Sequence, residues 1–130
     1  MKAIHCSGKR KRAIARATMK PGKGIVRINS NLLENYEPES ARLKIMEPLM
    51  LAESFAKKVN ISIKVFGGGW SSQTEAIRLA IGRCFVESNK NLKETFLKYD
   101  RGLLVADTRR KEVCKPNDSK ARAKRQKSYR

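Results

Sequence analysis

Apolar and polar residues alternate in two segments of the chain, and this alternation predicts two β-strands. Between Val59 and Val65, every second residue is apolar. Between Arg10 and Lys20, small or apolar residues share one face and bases share the other: Ala13, Ala15, Ala17 and Met19 against Arg10, Arg12, Arg16 and Lys20. Because successive side chains of a strand point to opposite sides, each segment should pack one face against a core.

Turn residues and two further apolar runs extend this pattern. Pro21-Gly22 combines a fixed φ with a permissive glycine, which favours a tight turn. The segment Gly24–Asn29 then predicts a second strand that pairs with the first as a β-hairpin. A last strand is expected at Leu103–Ala106.

Helical spacing and helix-start residues occur in the remaining segments. Ser72 and Glu75 have capping-box spacing, which predicts a helix that runs to about Glu87. Gly82 should mark a place of close packing, because glycine inside a helix costs roughly 1 kcal/mol relative to alanine. Three further helices are expected: one from Ser30 or Asn31 to Tyr36, one from Pro38 that Pro48 either kinks or separates from a second helix through Ala52, and one from Asn91 to Tyr99. Together these elements predict an α+β fold.

Charge is distributed unevenly along the 130-residue chain, whose net charge is +18. No acidic residue precedes Glu34 and none follows Ser119, while acids and bases nearly cancel from Ile28 to Thr108. A neutral middle between two basic ends indicates a folded domain with a polyanionic partner, of which nucleic acid is the commonest. We therefore divide the chain into a basic N-terminal arm (1–12), a globular RNA-binding domain (13–107) and an extended basic tail (108–130).

The composition argues against several other classes of protein. No apolar run reaches the roughly 20 residues of a membrane span, and the N-terminus lacks a signal peptide, so we expect a cytoplasmic protein. Cys6, Cys84 and Cys114 form no CxxC pair, which argues against a disulfide or a zinc site. His5 has no neighbouring carboxylate, and no catalytic or metal-binding motif occurs, so we expect neither an enzyme nor a cofactor.

A glycine triplet, Gly67 to Gly69, joins the strand predicted at Val59–Val65 to the helix that begins at Ser72. Glycines permit unusual φ values and the close approach of another backbone, and a helix N-terminus favours phosphate. The triplet is therefore either a phosphate contact or a connection without a ligand.

Two arginines, Arg78 and Arg83, lie on that helix. They can pair with Glu75 and Glu87 at helical spacing, which gives a small stabilisation. The basic charge of the whole chain makes an RNA contact the alternative for at least one of them.

The final segment, residues 119–130, carries six cations and no acid. Alone in water it should be disordered, because the cations repel one another and no apolar set offsets the lost entropy. It is either a solvated tail or localisation signal, or a segment that becomes ordered along an RNA backbone. Tyr129 and Arg130 add an aromatic ring and a planar group that binds phosphate bidentately.

Several segments resemble the family of the ninth small-subunit ribosomal protein. The run Gly67–Arg83 is similar to the family signature, with a glycine triplet, Gln73, and small residues and a base at fixed spacing. The opening Ser7–Ala15 resembles the family's basic first strand. Its archaeal and eukaryotic branch is matched by Glu47-Pro48-Leu49, Tyr99-Asp100-Arg101, Leu103–Asp107 and Gln126–Arg130.

This resemblance implies a structural ribosomal protein. The fold would be a β-sheet packed against helices with a left-handed βαβ crossover, like the second domain of the fifth small-subunit protein, followed by a long extended basic tail. The family binds rRNA in the head of the small subunit, and its last residue, here Arg130, approaches the anticodon stem-loop of the P-site tRNA. The partners would be small-subunit rRNA, P-site tRNA and neighbouring head proteins, with no membrane and no homo-oligomer. A eukaryotic source would add a nucleolar stage during assembly.

The charge pattern and the resemblance together give two sets of candidate site residues. Those expected to bind rRNA are Lys9, Arg10, Lys11, Arg12, Arg16, Gly67, Gly68, Gly69, Gln73, Arg78, Arg83, Arg109, Arg110, Lys120, Arg122, Lys124 and Arg125. Those expected near the tRNA are Lys127, Ser128, Tyr129 and Arg130.

Two other functions compete with this interpretation. A small-molecule kinase of the same broad fold would bind nucleotide phosphate at the glycine loop, but the chain is short and lacks a candidate base or magnesium ligand there. A peripheral membrane protein would place the polybasic tail on anionic lipid, but no amphipathic anchor or lipidation site accompanies it.

Overall fold

The computed structural model describes residues 2–114, 116 and 120–122. Five strands form one mixed sheet in the order β1-β2-β5-β3-β4: β1 (Ile4–Arg10), β2 (Ala13–Pro21), β3 (Val26–Ile28), β4 (Asn31–Leu32) and β5 (Val59–Phe66). The helices are α1 (Glu39–Leu51), α2 (Glu53–Ala56), α3 (Trp70–Ser88) and α4 (Leu92–Tyr99). The α+β prediction is confirmed.

The edge strand β1 comes from residues that were expected to form part of an N-terminal arm. It pairs antiparallel with β2, from Ile4 opposite Met19 to Arg10 opposite Ala13. Lys11, at the turn between the two strands, has a φ of 50°, in the left-handed region. The strand predicted from Arg10 to Lys20 is thus one arm of a hairpin whose other arm precedes it.

The hairpin predicted between residues 10–20 and 24–29 is wrong, because β5 lies between β2 and β3. β5 pairs antiparallel with β2 and parallel with β3. Its alternate residues from Val59 to Val65 are buried. A central position, with a paired strand on each side, keeps this apolar face away from water. The turn at Pro21-Gly22 does occur at the end of β2, but it leads to a short loop. Asn60 Oδ1 holds this loop by accepting from the backbone N–H groups of Lys23 at 2.8 Å and Ile25 at 3.1 Å.

The parallel strands β3 and β5 are joined through α1 and α2, which gives the βαβ unit that the resemblance implies. Its left-handed sense stays a prediction. α1 continues through Pro48, which is buried, and the separate helix α2 begins at Glu53. The segment expected to form a helix up to Tyr36 instead contains β4 and a 3₁₀ turn at Leu33–Asn35.

Small residues let α3 lie close against the sheet. Ala13, Ala15 and Ala17 of β2 are buried under the helix, which contributes Ala76 and Ala80. The tightest approach is at Gly8 of β1, where an added Cβ would lie 2.0 Å from the carbonyl oxygen of Ala76. The helix α3 therefore covers one face of the sheet, and α1 packs against α3. Within the described ranges, no helix has the length and apolar content that a membrane crossing requires.

The close packing predicted for Gly82 is confirmed, whereas the last predicted strand is wrong. Residues Arg101–Leu103 form a 3₁₀ turn, and Leu103 is fully buried. A Cβ on Gly82 would lie 2.5 Å from the Leu103 carbonyl oxygen. This segment packs against α3 rather than extending the sheet. Cys84 is buried in the same helix, and burial raises the pKa of its thiol.

Replacing Gly8 with alanine should destabilise the fold by about 1–3 kcal/mol, because the backbone of α3 must move away from β1. Gly69→Ala is the matched control, since an added Cβ there meets no atom within 4 Å. It should change the free energy of unfolding by less than about 1 kcal/mol. Urea unfolding of both variants measures the difference, and equal midpoints would contradict the close-packing argument.

Candidate nucleic-acid interface

Three segments that are distant in sequence meet in a basic cleft. They are the β1–β2 turn, the N-terminus of α3 and the segment that follows the 3₁₀ turn at Arg101–Leu103. The cleft comprises two adjoining cavities of about 330 and 980 Å³ that share Arg10, Lys11, Ser72 and Arg109. Eight cations line it: Lys9, Arg10, Lys11, Arg12, Arg78, Arg109, Arg110 and Lys111. Four acids, Glu75, Asp100, Asp107 and Glu112, line it as well, together with Gly68, Gly69, Gly102, Ser71 and Ser72.

The glycine loop brings the β1–β2 turn to the helix N-terminus. Gly67 and Gly68 have φ values of 75° and 66°, which lie in the left-handed region. A Cβ on Gly67 would lie 2.6 Å from the carbonyl oxygen of Arg12, and one on Gly68 would lie 3.1 Å from the backbone nitrogen of Ala13. The backbone that these glycines admit is therefore another part of this chain, while Gly69 faces open space.

The N-terminus of α3 forms one wall of the cleft. The helix begins at Trp70, with Gly69 at the N-cap and no side-chain capping bond, so the predicted capping box at Ser72 is wrong. Gln73 instead donates to the carbonyl oxygen of Gly67 at 3.2 Å, which fastens the loop. Because no side chain caps the first turn, its N–H groups and partial positive charge can act on an anion in the cleft.

Asp107 fastens the C-terminal segment to β1. One of its oxygens lies 3.0 Å from Nη1 of Arg10 and 2.6 Å from Nη2 of Arg109. The backbone N–H of Arg109 donates to its other oxygen at 2.8 Å. Hydrogen bonds from Arg109 and the charge of Arg10 hold the pKa of Asp107 well below its usual range. The carboxylate therefore stays ionised and positions two arginines along the cleft.

Arg78 lines the smaller cavity of the cleft, where it is directed into a cluster of carboxylates. Its guanidinium is only 10% exposed and pairs with Glu47, with Asp100 at 2.7 Å and with Glu75 at 3.8 Å. Burial alone would lower the pKa of Arg78, but the hydrogen bond to Asp100 and the charge of Glu47 raise it overall. The N–H of Gly102 and then the guanidinium of Arg78 lower the pKa of Asp100. The pairing expected with Glu75 is present but is the longest, and these contacts favour a structural role for Arg78.

Arg83 also makes internal contacts. Its Nη1 donates to the carbonyl oxygen of Ser7 at 2.8 Å, and its Nε donates to that of Leu104 at 3.2 Å. These two carbonyls replace Glu87, the partner expected from helical spacing. Arg83 therefore joins α3 to β1 and to the segment that leads into the cleft.

The remaining predicted site residues lie elsewhere. Arg16 projects from the other side of the sheet, with its guanidinium carbon 5.6 Å from the centre of the Phe66 ring. Lys120 is exposed, and Arg122 lies beside the cleft, because its Nε donates at 2.8 Å to Glu112, which lines the larger cavity. Lys124, Arg125, Lys127, Ser128, Tyr129 and Arg130 lie outside the described residues.

The sequence prediction missed three cleft residues, Lys111, Ser71 and Ser72. Lys111 continues the charge run of Arg109 and Arg110, so the run itself was a sufficient signal. The two serines follow the glycine triplet directly and were assigned only to a helix start. Their place in the cleft depends on the meeting of distant segments.

Comparison with known proteins gives concordant matches. A family model described as ribosomal protein S9/S16 matches residues 8–130. The chain is 51% identical to the small ribosomal subunit protein uS9 of Methanococcus maripaludis strain S2, over a 134-residue alignment that covers all of both chains. The same identity and coverage hold for the uS9 proteins of strains C7 and C5 of this archaeon.

Replacing Arg78 with glutamine should lower the free energy of unfolding by about 2–3 kcal/mol, because three carboxylates lose a largely buried partner. Lys57→Gln removes a cation from an exposed pair with Glu53 and should cost less than about 0.5 kcal/mol. Urea unfolding at neutral pH compares the two variants. Similar losses would contradict a structural role for Arg78.

Arg78→Gln should also differ from the unsubstituted protein in its response to acid. The pKa of Asp100 is lowered in the folded state, so its contribution to stability is present above the unfolded value of about 3.9 and is lost as the pH falls through the folded value. Removing Arg78 eliminates part of that shift. The free energy of unfolding should therefore decrease less steeply below about pH 4 in Arg78→Gln than in the unsubstituted protein.

Proposed function

Because the chain belongs to the ribosomal protein S9/S16 family, we propose that it binds small-subunit rRNA in the head of the subunit through the basic cleft. Membership makes the chain a structural protein of the small ribosomal subunit. The observation that supports the proposal is the meeting of an uncapped helix N-terminus with cations from two other segments. Neighbouring head proteins of cytoplasmic ribosomes are the further partners that we propose.

The charges of the cleft suit a polyanion. Lys11, Arg12 and Lys111 are exposed, and in the described part of the chain no carboxylate forms an ion pair with them. Arg10 and Arg109 share the single charge of Asp107, which leaves excess positive charge beside them. Phosphate groups of an RNA backbone would supply the missing negative charge and release condensed counterions.

A nucleotide-binding enzyme is less well supported by this cleft. Asp107 is the carboxylate closest to the basic turn, and two arginines already occupy it. Asp100 and Glu75 also line the cleft but are engaged with Arg78, and Glu112 is engaged with Arg122. Each of these carboxylates is therefore paired with an arginine rather than free to act as a base beside an incoming hydroxyl. The three segments can contact successive phosphates along an RNA backbone, so the cleft suits RNA better than one small phosphate ligand.

For the tail we propose the finer role that the resemblance implies. The segment 109–114 lines the cleft and leads towards the basic end of the chain. We propose that residues 119–130 follow rRNA beyond the cleft and that Arg130 reaches the anticodon stem-loop of the P-site tRNA. Lys127, Ser128 and Tyr129 would hold the end of the chain beside it. A chain terminus suits this task, since only one strand must pass between RNA segments.

Replacing Lys11, Arg12 and Lys111 together with glutamine should weaken binding to a transcript of the rRNA head domain and reduce its salt dependence. If each side chain neutralises one phosphate, the slope of log K against log salt should fall by roughly 2–3. The control Lys90→Gln/Lys93→Gln/Lys98→Gln removes equal charge from exposed positions on and beside α4. Filter binding at several salt concentrations gives the slopes. An unchanged slope in the cleft variant would exclude the cleft as the contact.

Deleting residues 128–130 should spare subunit assembly but weaken P-site tRNA binding. Loss of one charge-assisted hydrogen bond corresponds to roughly 1.5–3 kcal/mol. The control Arg130→Lys keeps the charge and should retain more of the affinity than the deletion. Sedimentation reports assembly, and titration of purified subunits with initiator tRNA reports affinity. Unchanged tRNA binding after the deletion would leave the tail as an rRNA contact alone.

A further inference from the structure

The face of the sheet opposite α1 and α3 is polar and basic. We call it the open sheet face. Its side chains alternate with the buried ones, and Phe66 is 50% exposed. The face carries His5, Ser7 and Lys9 from β1, Ile14, Arg16, Thr18 and Lys20 from β2, Arg27 from β3, and Asn60, Ser62, Lys64 and Phe66 from β5. Five of these residues are cations, and none is an acid.

Strand register places like charges next to one another on this face. Arg16 of β2 is opposite Lys64 of β5, and neighbouring strands are only about 4.8 Å apart. Like charges opposite each other in a sheet are destabilising. In the described part of the chain, no carboxylate forms an ion pair with either of them. Such repulsion suits a surface that an anionic partner covers.

The groups between these cations suit phosphate and ribose. Thr18 and Ser62 lie opposite each other in the next register row, and Ser7 lies opposite Arg16. Hydroxyl groups and basic side chains of this kind make most protein contacts to nucleic-acid backbones. The exposed rings of this face are His5 and Phe66, and Arg16 already lies over the Phe66 ring, so the face has little capacity to stack successive nucleobases. The chemistry therefore favours the RNA backbone over base recognition.

We propose that the open sheet face is a second RNA-binding surface, which holds the phosphate backbone of an rRNA segment other than the one in the cleft. The proposal rests on the proposed function, since it takes rRNA as the partner. Lys9 stands at the border, because it belongs to the open face by register and also lines the cleft. Gly8 and Arg10 beside it point to the helix side. The two surfaces thus lie on opposite sides of the same strand.

Replacing Lys20, Arg27 and Lys64 together with glutamine in the full chain tests the proposal. All three are exposed and belong to different strands. Affinity for the head-domain rRNA transcript should fall about tenfold or more near physiological salt, with a slope lower by roughly 2–3. The α4 control, Lys90→Gln/Lys93→Gln/Lys98→Gln, should change affinity much less. Circular dichroism and urea unfolding verify that each variant is folded.

A photocrosslinking residue at Phe66 provides an independent measurement. In assembled subunits it should crosslink to rRNA, at nucleotides different from those crosslinked from position 111 in the cleft. The same residue at Leu97, which is 41% exposed on α4, is the control. Crosslinks from position 66 to a protein would overturn the proposal in favour of an acidic protein partner.

The outcomes separate this proposal from the function on which it rests. If the cleft variant loses affinity while the open-face variant matches the α4 control, the second surface is rejected and the proposed function stands. If neither variant differs from that control, both are rejected.

Discussion

The close approach of α3 to β1 and β2 is the constraint on which the rest of the structure depends. Gly8 touches the backbone of α3, and the alanines of β2 leave no side chain to hold the helix away. Only with this spacing can the N-terminus of α3 lie beside the β1–β2 turn. Gly67 and Gly68 complete the arrangement by admitting the backbone of that turn. The position of the basic cleft is therefore a consequence of small-residue packing, and charge is added to a site that packing has already formed.

Periodicity in the sequence predicted the elements of the fold better than it predicted their pairing. The strand at residues 59–65 is present because its apolar residues alternate over its whole length. The helix containing Gly82 is also present, although its buried residues run consecutively from Ala76 to Gly82. The hairpin prediction was wrong because pairing depends on competition among all strands. The strand β5 buries Val59, Ile61, Ile63 and Val65, whereas β3 buries only Val26 and Ile28. Leu103 shows the same limit. The apolar run Leu103–Ala106 predicted a strand, yet the structure uses Leu103 to pack against Gly82.

The site was predictable in composition and not in geometry. The charge runs indicated Lys9 to Arg12 and Arg109 to Arg110 as candidates, and these do meet in the cleft. Sequence spacing could not distinguish Arg78, whose three acidic partners include Glu47 and Asp100 from distant segments. It also could not show that Arg83 binds carbonyls of two other elements. Both arginines belong to the framework that holds the cleft in place.

The arrangement of acids explains how a neutral middle can present basic surfaces. Glu47 and Asp100 surround Arg78, and Asp107 holds two arginines at the edge of the cleft. These carboxylates form ion pairs within the fold. They therefore do not neutralise the cations that project from the β1–β2 turn and from the open sheet face. The remaining positive charge repels itself across the free protein. Binding of a polyanion to the folded state removes this repulsion and stabilises that state by mass action. If RNA is this polyanion, as we propose, the folding free energy and the RNA affinity are coupled through the same side chains.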